Sequence, residues 1–124
     1  MTEMLKIPPE AQESFIQMQM FQQQMQSILM QRETLSFQKI EAEKALDELG
    51  KLKDNDEVFK AVGPILVKST KTELEKELKE KMETVDVRLK TLEKQEAQVR
   101  EKAEEVQKKL EDILKPADEQ QAAG

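Results

Sequence analysis

Two stretches of this 124-residue chain, 10–49 and 65–115, contain neither proline nor glycine. Nothing else in the sequence constrains the fold as much. Proline breaks a helix interior and glycine weakens one, while Leu, Met, Gln, Glu and Lys, which dominate here, favour it. Pro8-Pro9 suits a helix start and Pro116 a helix stop. The sequence therefore predicts a single domain over 1–124: one helix over 10–49, a break, a second helix over 71–114, and a disordered tail over 116–124. A forty-residue helix spans about 60 Å. With four Phe and no Trp or Tyr, the chain has little from which to build an ordinary globular core. The helices must bury a seam against each other.

That seam is legible. In the first helix Met18, Phe21, Met25, Ile28, Leu35, Ala42, Leu46 and Leu49 follow alternating steps of three and four, with Arg32 and Lys39 in the two skipped positions. In the second, Met82, Val85, Leu89, Leu92, Val99, Ala103, Val106, Leu110 and Ile113 do the same, interrupted by Glu96. Leu74 and Leu78 precede Met82 at four-residue steps, which predicts a local stutter. Over so short a connection only an antiparallel hairpin brings two seams of one chain together. The register then sets Leu49 near Leu74 and Phe15 near Leu110. The fold class expected is all-α dominated, a long antiparallel coiled coil.

Composition removes most other possibilities. Without Cys there are no disulfides, thiol nucleophiles or thiolate metal sites, and a reducing, cytoplasmic setting is expected. Without His the commonest general base and metal ligand is missing. Asp, Glu and Lys remain, but two paired helices offer no concave core in which to perturb them, so no enzyme is expected. The 26 acidic and 20 basic residues give a net charge of −6, opposite to a nucleic-acid footprint. No apolar run approaches the roughly 18 residues of a membrane span, and the N-terminus lacks a signal-peptide apolar region.

The break is not a bland loop. In "DNDEVFKAVGPILVKST" Val58, Phe59, Val62, Ile65, Leu66 and Val67 form two short runs around Gly63-Pro64, which reads as a β-hairpin. Gly63 followed by Lys68-Ser69 has the look of a phosphate-binding loop. However, the second glycine is missing, the spacing is one residue short, and Pro64 has no amide to offer a phosphate. No nucleotide or other cofactor is expected. An isolated two-stranded hairpin is marginal in water, and this one is apolar on both faces. Two outcomes are open: the hairpin folds back onto the helices, or it pairs with equivalent hairpins of other subunits through Val58, Phe59, Val62, Ile65, Leu66 and Val67. The second closes the unpaired edges and is the expectation.

Two long helices joined by "VFKAVGPILVK" and followed by "ELKEKMETVDVRLKTLEKQE" resemble prefoldin, in its archaeal-type β class. The resemblance covers roughly residues 10–115, and the insert is too short for the two hairpins of an α-class subunit. It implies a hexamer of two α-class and four β-class subunits whose hairpins build an intersubunit β-barrel. It also implies an ATP-independent chaperone that captures unfolded polypeptides and passes them to a group II chaperonin. A coiled-coil tether or adaptor binding one folded partner is the alternative reading.

The two helices differ in a way that bears on such a role. Residues 12–38 hold nine Gln and four Met against two acids and one base, whereas 71–115 carry 12 basic and 13 acidic residues. Met20, Leu29, Met30, Phe37 and Ile40 are apolar outside the seam; they either widen it or meet an irregular partner, which Met suits. At the end where the coiled coil stops, Met4, Leu5, Ile7, Phe15, Ile16, Met20, Ile113 and Leu114 lie together and are the expected client-binding residues.

Overall fold

The computed structural model describes residues 7–115. Helix α1 runs Pro9–Gly50, strand β1 Val58–Val62, strand β2 Ile65–Ser69, and helix α2 Lys71–Leu114. Two long helices and a short antiparallel hairpin thus make up the fold. The expected tail at 116–124 and the residues Met4 and Leu5 lie outside the described residues.

Each helix start has a local cause. The Pro8 carbonyl accepts from the amides of Ala11 and Gln12 at 3.0 and 3.1 Å, with Pro9 as first helical residue, where a missing N–H costs nothing. At α2, Thr70 Oγ1 accepts from the Glu73 amide at 3.2 Å, and the Thr70 carbonyl from the Leu74 amide at 3.0 Å. Thr70-x-x-Glu73 is the spacing of a capping box, although here the Glu73 carboxylate accepts from Ser69 Oγ at 3.3 Å. Gly50 ends α1. The connector then folds on itself: the Lys53 amide donates to Asp56 Oδ2 at 2.7 Å and the Asp56 amide to the Lys53 carbonyl at 3.0 Å. Lys71 Nζ donates to the Leu52 carbonyl at 2.8 Å, tying the connector to the start of α2.

The chain divides into two compact units, each holding a segment of both helices. In the unit of residues 31–92, Leu35, Ala42, Leu49, Val85 and Leu92 are buried, while Leu46, Leu74, Leu78, Met82 and Leu89 are half-buried. Leu49 and Leu74 line one groove, as the antiparallel register requires. Lys39 occupies its seam position by reaching across to Asp86, Nζ to Oδ1 at 2.9 Å. In the unit of 7–30 with 93–115, Ala11, Ser14 and Ile28 are buried, and Met18, Phe21, Met25, Val99, Ala103, Val106, Leu110 and Ile113 are half-buried. Phe15 and Leu110 again share a groove. Glu96 keeps its seam position half-buried because Arg100, one turn on, holds its carboxylate at 2.7 Å.

The seam reaches further than its larger apolar residues announce. Ala11 is fully covered and Ser14 nearly so. Both continue the alternation of threes and fours back from Met18, and Ile7, half-buried, adds one more step. The signal was the spacing, hidden because a serine and an alanine carry it.

Candidate functional site

The hairpin is the first candidate surface. Its strands pair antiparallel in the register Val58↔Ser69, Phe59↔Lys68, Lys60↔Val67, Ala61↔Leu66 and Val62↔Ile65. Only Gly63-Pro64 separates them. Gly63 has φ of 57°, and proline, with its fixed negative φ, follows; this is the glycine-first pattern of a type II′ hairpin turn. The segment with the look of a phosphate loop is therefore a turn and an extended strand, with no run of amides curled around a centre.

Alternation along the strands sorts the side chains. Phe59, Ala61, Leu66 and Lys68 share one face; Val58, Lys60, Val62, Ile65, Val67 and Ser69 share the other. The second face meets α2 at its base, where Lys60 Nζ pairs with Glu77 Oε2 at 2.7 Å. Val58 is buried there, within its own chain, so it stands apart from the other five residues expected at an interface. Phe59, Val62, Ile65, Leu66 and Val67 are all exposed, Leu66 at 73%. Among the described residues the sheet has two strands, so apolar side chains on both faces and the outer edge of each strand are left facing solvent.

The end of the helix pair is the second. Phe15, Gln107, Leu110, Glu111, Leu114 and Lys115 line an open groove of about 440 Å³. Phe15, Ile16, Met20 and Leu114 are exposed. Ile7 and Ile113 are half-buried at seam positions, so they belong partly to the coiled coil itself. Phe15, Leu110 and Leu114 are the apolar part of the groove's lining and Gln107, Glu111 and Lys115 the polar part; Lys115 Nζ lies 3.4 Å from Asp112 Oδ1.

Between these places the outer side of α1 exposes Leu29 and Met30 in one unit and Phe37 and Ile40 in the other. They do not widen the seam. On α2 the outward residues are mostly charged or polar, with Val87 an exposed exception. Among the described residues no cluster of acidic side chains is arranged to hold a metal ion, and no helix is long and apolar enough to cross a membrane.

Comparison with known proteins agrees with this architecture. The profile of a family described as prefoldin subunit matches residues 12–117. The prefoldin subunit beta of Archaeoglobus fulgidus is 44% identical over 111 residues, covering 90% of this chain and 96% of that one. That of Thermococcus kodakarensis is 42% identical over 113 residues, covering 91% and 97%. The crystal structure of the prefoldin beta subunit from Thermococcus strain KS-1 superposes with a TM-score of 0.81 at 41% identity, over 90% of this chain and 97% of that one.

Proposed function

This chain belongs to the prefoldin family, as a β subunit, and from that premise we propose that it works as one arm of an ATP-independent cytoplasmic chaperone. Membership places it among non-enzymatic chaperone components that act as hetero-oligomers with α subunits. In the finer reading, two α-class and four β-class subunits join through their hairpins in a β-barrel. The helix ends hold unfolded polypeptides and release them to a group II chaperonin.

One observation carries the capture step: Phe15 and Leu114, both exposed, line an open groove at the end of the helix pair, and Ile16 and Met20 of the same stretch of α1 are exposed as well. Covering one such side chain contributes about 1.5–3 kcal/mol at most. A single end therefore binds weakly. Several ends facing one client raise the effective concentration and hold it by avidity, yet allow it to leave. Flexible Met and apolar groups tolerate the irregular surface of an unfolded chain.

The test is light scattering of a denatured protein diluted into the assembled complex. Replacing Phe15, Ile16, Met20 and Leu114 together by Ser is expected to leave native mass unchanged and to lower suppression of aggregation several-fold, with or without ATP. Undiminished suppression would move capture elsewhere, to the Met- and Gln-rich side of α1.

A further inference from the structure

We propose that the Met20 thioether is a reversible oxidation site, converted by peroxide to the sulfoxide, and that this conversion weakens the hold of the helix end on an unfolded chain. The inference rests on the reading that the helix end captures clients, and adds a chemical modification that sets how strongly it does so.

The composition leaves an oxidant few targets. With no Cys, His, Trp or Tyr in the chain, methionine is the side chain most readily oxidised. The structure ranks the methionines. Met30 is 69% exposed and Met20 53%, whereas Met18, Met25 and Met82 hold half-buried seam positions. Met1 and Met4 lie outside the described residues. Met20 follows Ile16 by one helical turn, and Ile16 is itself exposed, so the two form an apolar pair on the outside of α1 near its end. Met30 lies about 15 Å further along the same helix.

The step balances with hydrogen peroxide as oxidant. A sulfur lone pair attacks one peroxide oxygen, the S–O bond forms as the O–O bond breaks, and the transferred OH gives its proton to the departing hydroxide, which leaves as water. The sulfur loses two electrons and the peroxide gains them. Methionine sulfoxide reductases reverse the step, one enzyme per sulfoxide epimer, with a dithiol as reductant. A polar sulfoxide at position 20 no longer gains from apolar contact with a client. The helix accommodates it: no residue from 14 to 31 is charged, and Gln17, Gln23 and Gln24 stand one turn away with amide donors for the new oxygen. The same oxygen on Met18 or Met25 would enter the seam. The exposed thioether therefore takes the modification while the half-buried ones keep the helix pair intact.

The test treats the complex assembled with its α-class subunit with dilute hydrogen peroxide, stops the reaction with catalase, and follows the oxygen added to each methionine by peptide mass spectrometry. Met20 is expected to oxidise at least about fivefold faster than Met25. Each complex is then compared with itself before treatment. Suppression of aggregation is expected to fall about twofold in the unsubstituted complex and in Met30→Leu, with helical circular dichroism unchanged. It should recover with the two reductases and dithiothreitol. In Met20→Leu, which keeps an apolar side chain of similar volume without a thioether, peroxide should change suppression little. The α-class subunit is the same in all three complexes, so its own methionines cancel. Equal oxidation of Met20 and Met25, or an equal fall in Met20→Leu, would overturn the proposal. So would undiminished suppression once Met20 is oxidised; if replacing Phe15, Ile16, Met20 and Leu114 by Ser still lowers suppression, capture at the helix end stands and this inference alone fails. Undiminished suppression in that Ser variant as well would overturn both.

Discussion

Gly63 and Lys39 each decide something local that their neighbours could not. Gly63 sits at φ of 57° with nothing within 4 Å of where a Cβ would stand, so a side chain there meets backbone strain and no clash. Gly63→Ala is expected to cost about 1–2 kcal/mol. Since about 1.4 kcal/mol is a factor of ten, assembly affinity, measured by native mass against concentration, should fall roughly tenfold. Gly50→Ala, at an ordinary φ in open space, should instead stabilise the last turn of α1 by up to about 1 kcal/mol, seen as a higher urea midpoint. Lys39 has its pKa raised above 10.5, first by its hydrogen bond to Asp86 and then by that carboxylate's charge. Its stabilising contribution is whole below the unfolded value near 10.5 and fades as pH rises through the higher folded one. Lys39→Leu puts an apolar group at a seam position, so it should raise the melting temperature at pH 7 by a few degrees. The advantage should widen at pH 11; a constant difference would mean that Lys39 contributes nothing through its charge.

At the scale of the element, the helices owe their stability to one stripe. Residues off the stripe are free for other work. Leu35 is buried and Phe37, two residues on, is 61% exposed. Leu35→Ala is expected to cost about 2–5 kcal/mol in urea denaturation, and Phe37→Ala to stay within about 0.5 kcal/mol. A large loss for Phe37→Ala would place it in the core of the helix pair. Much of this was readable beforehand: every large seam residue from Met18 to Ile113 is buried or half-buried where periodicity put it. Ala11 and Ser14 were missed because small residues carry little hydrophobic signal, although their spacing was in phase. The Thr70 cap is written in the sequence as Thr-x-x-Glu, and only its hydrogen bonds revealed it.

For the whole molecule, the question is what meets the surfaces that the chain leaves uncovered. Phe59 and Leu66 are not themselves seam positions, although Phe59 lines a groove together with Leu49 and Leu74. The double variant Phe59→Glu, Leu66→Glu is therefore expected to keep its helical circular dichroism and to run as small species in native mass analysis. Unchanged mass would show that the hairpin is not the assembly element. Both residues are more than half exposed, and they share one face of the sheet.

By itself the sequence determined the two helices, their antiparallel pairing, the turn at Gly63-Pro64 and the family. The first three follow from local rules, proline and glycine placement, a three-four period and a positive φ, and the family from the likeness of the hairpin and the stretch after it to prefoldin. Tertiary structure alone decided which residues of equal hydrophobicity are spent inside the chain. Val58 and Val67 are both valines in five-residue strands, yet Val58 is buried and Val67 is exposed. Ile7 and Ile16 begin the same helical end, yet one is half-buried in phase with the seam and the other is exposed. Burial depends on what lies opposite in space, and for these side chains the opposing groups come from parts of the chain distant in sequence.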